Sequence, residues 1–199
     1  GLSLTEMWFG IVSLFPEMFS ALKSGGITAR AWHQKKIDMA FINPRDFALD
    51  VHRTVDDRPY GGGPGMVLKA EPLSLAMRVA RLRAPVKPLV VHLSPSGYPL
   101  NQSWVRRLAQ CQSLVLVAGR YEGIDQRFID QEVDLELSVG DYILSGGELA
   151  AMVVIDAVTR LLPGAVSDPR SVVEESFSED NPGLDWPHYT RPENFNGLR

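Results

Sequence analysis

Residues 113–148, SLVLVAGRYEGIDQRFIDQEVDLELSVGDYILSGGE, contain two short apolar runs that each end in a glycine-rich, acid-bearing loop. Ser113–Ala118 is a β-branched and leucine run of the length of a buried strand, and it delivers the loop Gly119-Arg120-Tyr121-Glu122-Gly123. Leu135–Val139 repeats the arrangement, followed by Gly140-Asp141-Tyr142 and Ser145-Gly146-Gly147 before a helix predicted from Glu148. Two glycine-punctuated strand ends on one sheet edge line a common crevice, where open α/β sheets usually bind ligands. Glycines also make ordinary turns, but glycines and tyrosines gathered in so short a stretch favour backbone brought close to a flat ligand.

Working outward, Trp8–Leu14, Ile37–Ile42 and Pro88–Leu93 read as further strands, and Ser94-Pro95-Ser96-Gly97 after the last of them reads as a third glycine-bearing loop at a strand end. Helices are predicted from Pro16 through Leu22, over Ile27–Lys36, over Glu71–Arg83, and from an Asn101 cap to Gln112. Strand, glycine-bearing loop and helix thus recur, which predicts the α/β class, a parallel sheet with crossover helices. The segment Glu71–Arg83 carries Arg78, Arg81 and Arg83 at helical spacing, which gives one apolar and one basic face, the basic face read as solvated surface with RNA contact as the alternative. From Asn43 to Gly65 the chain reads as one long loop with Asp56-Asp57, Arg58 and Tyr60-Gly61-Gly62-Gly63-Pro64-Gly65. Loops of that length are uncommon unless functional, and this one lacks the Gly-Lys-Ser/Thr of a phosphate loop.

Residues 148–162, ELAAMVVIDAVTRLL, are apolar almost all round, which predicts burial on more than one side and packing against a second subunit. Arg160 falls in the last turn, where a cation complements the helix dipole. Residues 165–187 are acidic and poor in aliphatics, so they read as a flexible linker. That linker holds Glu174-Glu175-Ser176-Phe177, a sequence that could serve as a lid carrying a carboxylate to a site.

At 199 residues and 45% hydrophobic, the chain has room for one well-buried domain. No run approaches the roughly 18 apolar residues of a membrane span, and the start lacks a basic region followed by an apolar signal core. The expectation is a cytoplasmic protein with no membrane partner. The formal charge of −4 conceals a division, because residues 1–118 hold 14 Lys/Arg against 8 Asp/Glu while residues 119–199 hold 6 against 16. A basic amino-terminal half suits phosphate, and an acidic half suits a cationic or proton-donating ligand. The single cysteine, Cys111, excludes an internal disulfide and a cysteine-based zinc cage, and His33, His52, His92 and His188 have no metal-like spacing. No metal site is assigned.

The blocks VDDRPYGGGPGM, LSPSG, GRYEGID, SVGDYILSGGE and HYTRPE, in that order between Met7 and Arg199, closely resemble the bacterial tRNA (guanine-N(1)-)-methyltransferase family. The resemblance implies methyl transfer from S-adenosylmethionine to N1 of the guanosine 3′ of the anticodon, position 37, with tRNA as partner. It also implies an α/β methyltransferase domain with a deep trefoil knot, over residues 1–164, in an obligate-type homodimer that builds each site from both subunits. General rules treat true knots as essentially absent, so the knot rests on resemblance alone. Residues 165–187 are then the linker or lid, and 188–199 the start of a truncated carboxy-terminal tRNA-binding domain.

Carried over by position, the implied cofactor residues are Ser94, Pro95 and Gly97; Gly119, Tyr121, Glu122 and Gly123; Ser138, Val139, Gly140, Asp141, Tyr142, Ile143 and Leu144; and Gly146 and Gly147. Gly65 is implied to approach the target base. The implied catalytic pair is Arg160 and Glu175, and the glutamate departs from the family's aspartate in that motif. Magnesium is raised by the resemblance as an accessory ion. Two other classes stay open at this point: a knotted relative that methylates a ribose hydroxyl, and a non-catalytic RNA-binding module.

Overall fold

The computed structural model describes residues 6–63, 65–120, 123–166 and 187–199. Five strands, β1 (Met7–Val12), β2 (Ile37–Ile42), β5 (Leu89–Pro99), β6 (Ser113–Ala118) and β7 (Leu135–Ser138), form one sheet in the order β2-β1-β6-β5-β7. Every neighbouring pair in it is parallel. Parallel neighbours need crossovers, and these are supplied by α1 (Ala21–Ser24), α2 (Gly26–His33), α3 (Ala70–Arg83), α4 (Gln102–Ala109) and α5 (Gln126–Glu132). The last helix, α6 (Glu148–Arg160), follows β7.

Helices cover both faces of this sheet, so its central strands read as continuous apolar runs rather than alternating ones. All six residues of β1 and all six of β6 are buried. Alternate side chains serve two cores. Phe9, Ile11, Leu114, Leu116, Val91 and Leu93 join α6 through Ala151, Val154, Ile155 and Val158. Trp8, Val12, Val115, Val117 and Val90 join α3 through Ala76, Met77 and Ala80, and α5 through Phe128.

The structure revises several expectations. The predicted loop Ser94–Gly97 is a bulge inside β5, which leaves β7 after Leu93 and rejoins it at Tyr98↔Leu137 and Pro99↔Ser138. A Cβ on Gly97 would stand 2.5 Å from the Glu136 carbonyl carbon, so only glycine allows this approach. The long loop after β2 is partly ordered by a 3₁₀ turn, Pro44–Phe47, and by the antiparallel pair β3 (Asp56–Asp57) and β4 (Val67–Leu68). The helix expected from Pro16 is a 3₁₀ turn, Pro16–Ser20, running into α1. Helix α5 had no counterpart in the sequence reading, although Asp125 caps it by accepting from Arg127 N at 2.9 Å. Arg81, taken as solvated, reaches across to Glu132 Oε2 of α5 at 3.0 Å.

Helix α6 is not buried all round within one chain. It packs one face into the core and leaves Leu149 and Val153 51% and 47% exposed, with exposed Asp156 also outside the core. Among the described residues, no helix is long and apolar enough to cross a membrane. Residues 187–199 are exposed and make a local turn in which Phe195 and Leu198 exchange two backbone hydrogen bonds of 2.9 Å.

Candidate cofactor cavity

The carboxyl ends of β5, β6 and β7 open onto a cavity of about 370 Å³, within the usual range of roughly 300–1,000 Å³ for small-molecule pockets. Its wall is built by the three glycine-bearing segments singled out in the sequence. Ser94 and Pro95 come from the β5 bulge, Gly119 and Gly123 from the loop after β6, and Ser138 through Gly140 from the end of β7. Tyr142, Ile143, Leu144, Gly146 and Gly147 complete it from the loop that leads into α6.

Two expected residues lie elsewhere. Gly97 is turned against the backbone of Glu136 and Leu137, and Asp141 is exposed and outside the lining. Tyr121, Glu122 and Glu175 lie outside the described residues. The sequence reading missed His92, Leu93, Arg120, Ile124, Leu137, Ser145 and Ala150, all of which line the cavity. His92 immediately precedes the LSPSG block and Arg120 lies inside GRYEGID; the burial of β5 sets the first at the wall, and the buried Glu148 carboxylate holds the second there.

Local chemistry holds the loops in place. Ser138 Oγ donates to Gly140 O at 3.0 Å and accepts from Gly140 N at 3.2 Å, fixing the turn at the end of β7. Tyr142 folds back so that its hydroxyl donates to Val139 O at 3.1 Å. Gly147 N donates to Gly119 O at 2.8 Å, which docks the start of α6 on the end of β6. The fully buried Glu148 carboxylate accepts from Arg120 Nε and Ser13 Oγ, each at 2.8 Å. The Arg120 guanidinium lies over the Phe15 ring at 4.3 Å.

The β3–β4 hairpin reaches the same rim. Leu68 N donates to Gly123 O and Asp125 N donates to Leu68 O, each at 2.9 Å, so the hairpin base is stitched to the loop after β6. Gly65 precedes β4 by two residues and is exposed with φ of +86°, at the hairpin's free end. Arg160 is at the opposite end of α6 from the cavity. Gly147 and Ala150 line the cavity, so a rise of about 1.5 Å per residue puts the Arg160 backbone roughly 18 Å beyond the helix start. Among the described residues, no group of three or more His, Cys, Asp or Glu side chains is placed to hold a metal ion.

The lining suits a nucleoside-type ligand. Leu93, Ile124, Leu137, Ile143 and Leu144 offer apolar surface to a flat ring, while Ser94, Ser138, Arg120 and glycine backbone offer polar edges. A parallel α/β sheet with such a cavity at the carboxyl ends of its strands defines a cofactor-binding α/β domain. The chain belongs to the family described as tRNA (Guanine-1)-methyltransferase TrmD, whose profile matches residues 7–199. It is 56% identical over 193 residues to the tRNA (guanine-N(1)-)-methyltransferase of Pseudoalteromonas atlantica, covering 97% of this chain and 72% of that one. The protein of the same name from Pseudomonas savastanoi pv. phaseolicola is 59% identical over 183 residues, covering 92% and 72%. Among solved structures, the tRNA (m1G37) methyltransferase from Aquifex aeolicus superposes with a TM-score of 0.80 at 38% identity, covering 97% of this chain and 79% of that one.

Proposed function

We propose that this chain transfers a methyl group from S-adenosylmethionine to N1 of guanosine 37, the nucleoside 3′ of the anticodon, in tRNA. One observation carries the reading: in a chain of this family, the three glycine-bearing segments converge on one nucleoside-sized cavity. When bound there, the donor supplies a methyl group on a sulfonium, an electrophile that needs alignment with N1 rather than activation by the protein.

The protein's part is proton and charge management. Guanine N1 carries a proton, so a carboxylate within hydrogen-bond reach must take it as the bond to carbon forms. Glu175 is proposed for that role from the linker at 165–187. Negative charge then moves to the neighbouring base oxygen, where the Arg160 guanidinium stabilises it. The β3–β4 hairpin, with Gly65 at its free end and its base stitched to the rim, holds the target base over the cavity.

The position of Arg160 favours a shared site. One helix length separates it from its own cavity, so it serves the cavity of a second protomer in a homodimer. Leu149 and Val153, half exposed on α6, supply apolar contact for that partner. A deep knot belongs to the same proposal. It is supported by the path of the chain, which leaves edge strand β7 and returns past β5 to dock Gly147 on Gly119, the residue after β6. Residues 188–199 are proposed as the start of the carboxy-terminal tRNA-binding segment. Magnesium is an accessory ion with no step assigned to it.

Methylation of a tRNA transcript with guanosine at position 37, compared with one carrying adenosine there, tests the proposal. Incorporation into the first transcript alone is expected, and equal incorporation into both would overturn it.

A further inference from the structure

His92 is the one histidine inside the sheet. It is 7% exposed, sits on β5 at the cavity wall, and pairs in register with Val117 of β6 and Glu136 of β7. Its Nδ1 is 3.0 Å from Glu136 Oε2. A carboxylate only accepts, so this contact makes Nδ1 the protonated nitrogen and leaves a lone pair on Nε2 in the neutral ring. Among the described residues Nε2 has no hydrogen-bond partner. It faces Gly119: a Cβ built there would come within 3.4 Å of Nε2 and 3.3 Å of Ile124 Cδ1, so glycine keeps the space between ring and cavity open.

We propose that His92 contacts the bound nucleoside cofactor by accepting, at Nε2, a hydrogen bond from one of its amino or hydroxyl groups, with Glu136 as the positioning residue that fixes the tautomer. The inference rests on the reading of this cavity as the donor site. Other charged groups around it are engaged elsewhere. Arg120 and Glu148 pair with each other at 2.8 Å, Asp134 accepts from Val90 N at 2.8 Å, and neither Val117 nor Ile124 titrates. Glu136 is therefore the charge that acts on the ring.

Protonation would convert the acceptor into a donor and place a cation at the wall. Burial lowers the pKa of His92 below its usual 6.5, and the Glu136 carboxylate opposes that shift only in part. The ring is thus neutral and accepting at neutral pH, and affinity for the nucleoside should fall on acidification. A hydrogen-bonding origin affects S-adenosylmethionine and the uncharged-sulfur product S-adenosylhomocysteine alike. Repulsion of the sulfonium alone would affect only the former.

Titration calorimetry of both compounds between pH 5 and 8 provides the test. Both affinities are expected to fall towards acid. His92→Phe should weaken both by about 3- to 10-fold at pH 7.5, the range for one net hydrogen bond, and flatten the profile. Glu136→Gln should move the acid limb to lower pH. An NMR titration of the unmodified protein should show the His92 ring becoming harder to protonate when the cofactor saturates the site, as linkage requires. An unchanged His92 titration on saturation overturns the proposal whether or not His92→Phe folds. So does an acid limb seen for S-adenosylmethionine alone, or a His92→Phe protein with unaltered affinity and profile. Failure of the unmodified protein to bind either compound overturns instead the donor-site reading beneath it.

Discussion

Arg120 donates from Nε to Glu148 Oε1 at 2.8 Å, and the same carboxylate accepts from Ser13 on its other oxygen. One buried acid thereby ties the residue after β1, the loop after β6 and the first turn of α6. The acid also sits at a helix N-terminus, where the helix dipole favours negative charge. Glu148→Ala leaves the guanidinium without its carboxylate, so a loss of about 3 kcal/mol is expected in denaturant unfolding. Ser13→Ala removes one neutral donor and should cost only about 1 kcal/mol. Equal effects would show that the carboxylate is not the centre of this junction.

Close backbone approach gives a second expectation. At Gly147 a Cβ would meet Ala118 Cα at 2.9 Å, and at Gly97 it would meet the Glu136 backbone at 2.5 Å, whereas at Gly25 nothing lies within 4 Å. Gly147→Ala and Gly97→Ala should each destabilise by about 1–3 kcal/mol, as overpacking does. Gly25→Ala should change stability by less than about 0.5 kcal/mol. Thermal melts of the three variants check the ranking.

Stability should also depend on pH through His92. Because burial lowers its folded pKa below 6.5, the unfolded chain binds the proton more readily, and stability is lost as pH falls from 6.5 towards the folded value. Denaturation midpoints measured from pH 7.5 down to 5.5 should decline less in His92→Gln than in the unmodified protein.

Arg160 offers a test of the shared site. Arg160→Ala protomers mixed with protomers whose cofactor cavity is blocked should regain roughly a quarter of normal turnover, since half the dimers are mixed and each has one intact site. No recovery would place Arg160 at its own cavity. Glu175→Gln should lower the methylation rate by about 10²–10⁴-fold with cofactor affinity unchanged. Val153→Glu, at the half-exposed face of α6, should shift sedimentation towards the 22.0 kDa monomer.

The fold class and most of the cavity were legible because buried parallel strands leave unbroken apolar runs, and Ser113–Ala118 is such a run in all six positions. The glycine loops at the strand ends followed from the same reading. The bulge at Ser94–Gly97 was not legible, since a strand that leaves and rejoins its neighbour carries the same residues as a loop. Helix α5 is short and takes its place from Phe128 in the core rather than from a periodic pattern. His92 and Glu136 could not be paired from sequence, because 44 residues separate them and only the β5–β7 register brings them together. The mixed exposure of α6 was obscured for a related reason: Leu149 and Val153 look like core residues, and only packing shows which side of the helix the chain itself covers.

The central claim is tested most directly by digesting tRNA to nucleosides after incubation with the protein and isotopically labelled S-adenosylmethionine, then mapping the label by mass spectrometry. The account expects N1-methylguanosine at position 37 as the labelled product. Label on a ribose 2′-oxygen, or on a base other than guanosine 37, would contradict it.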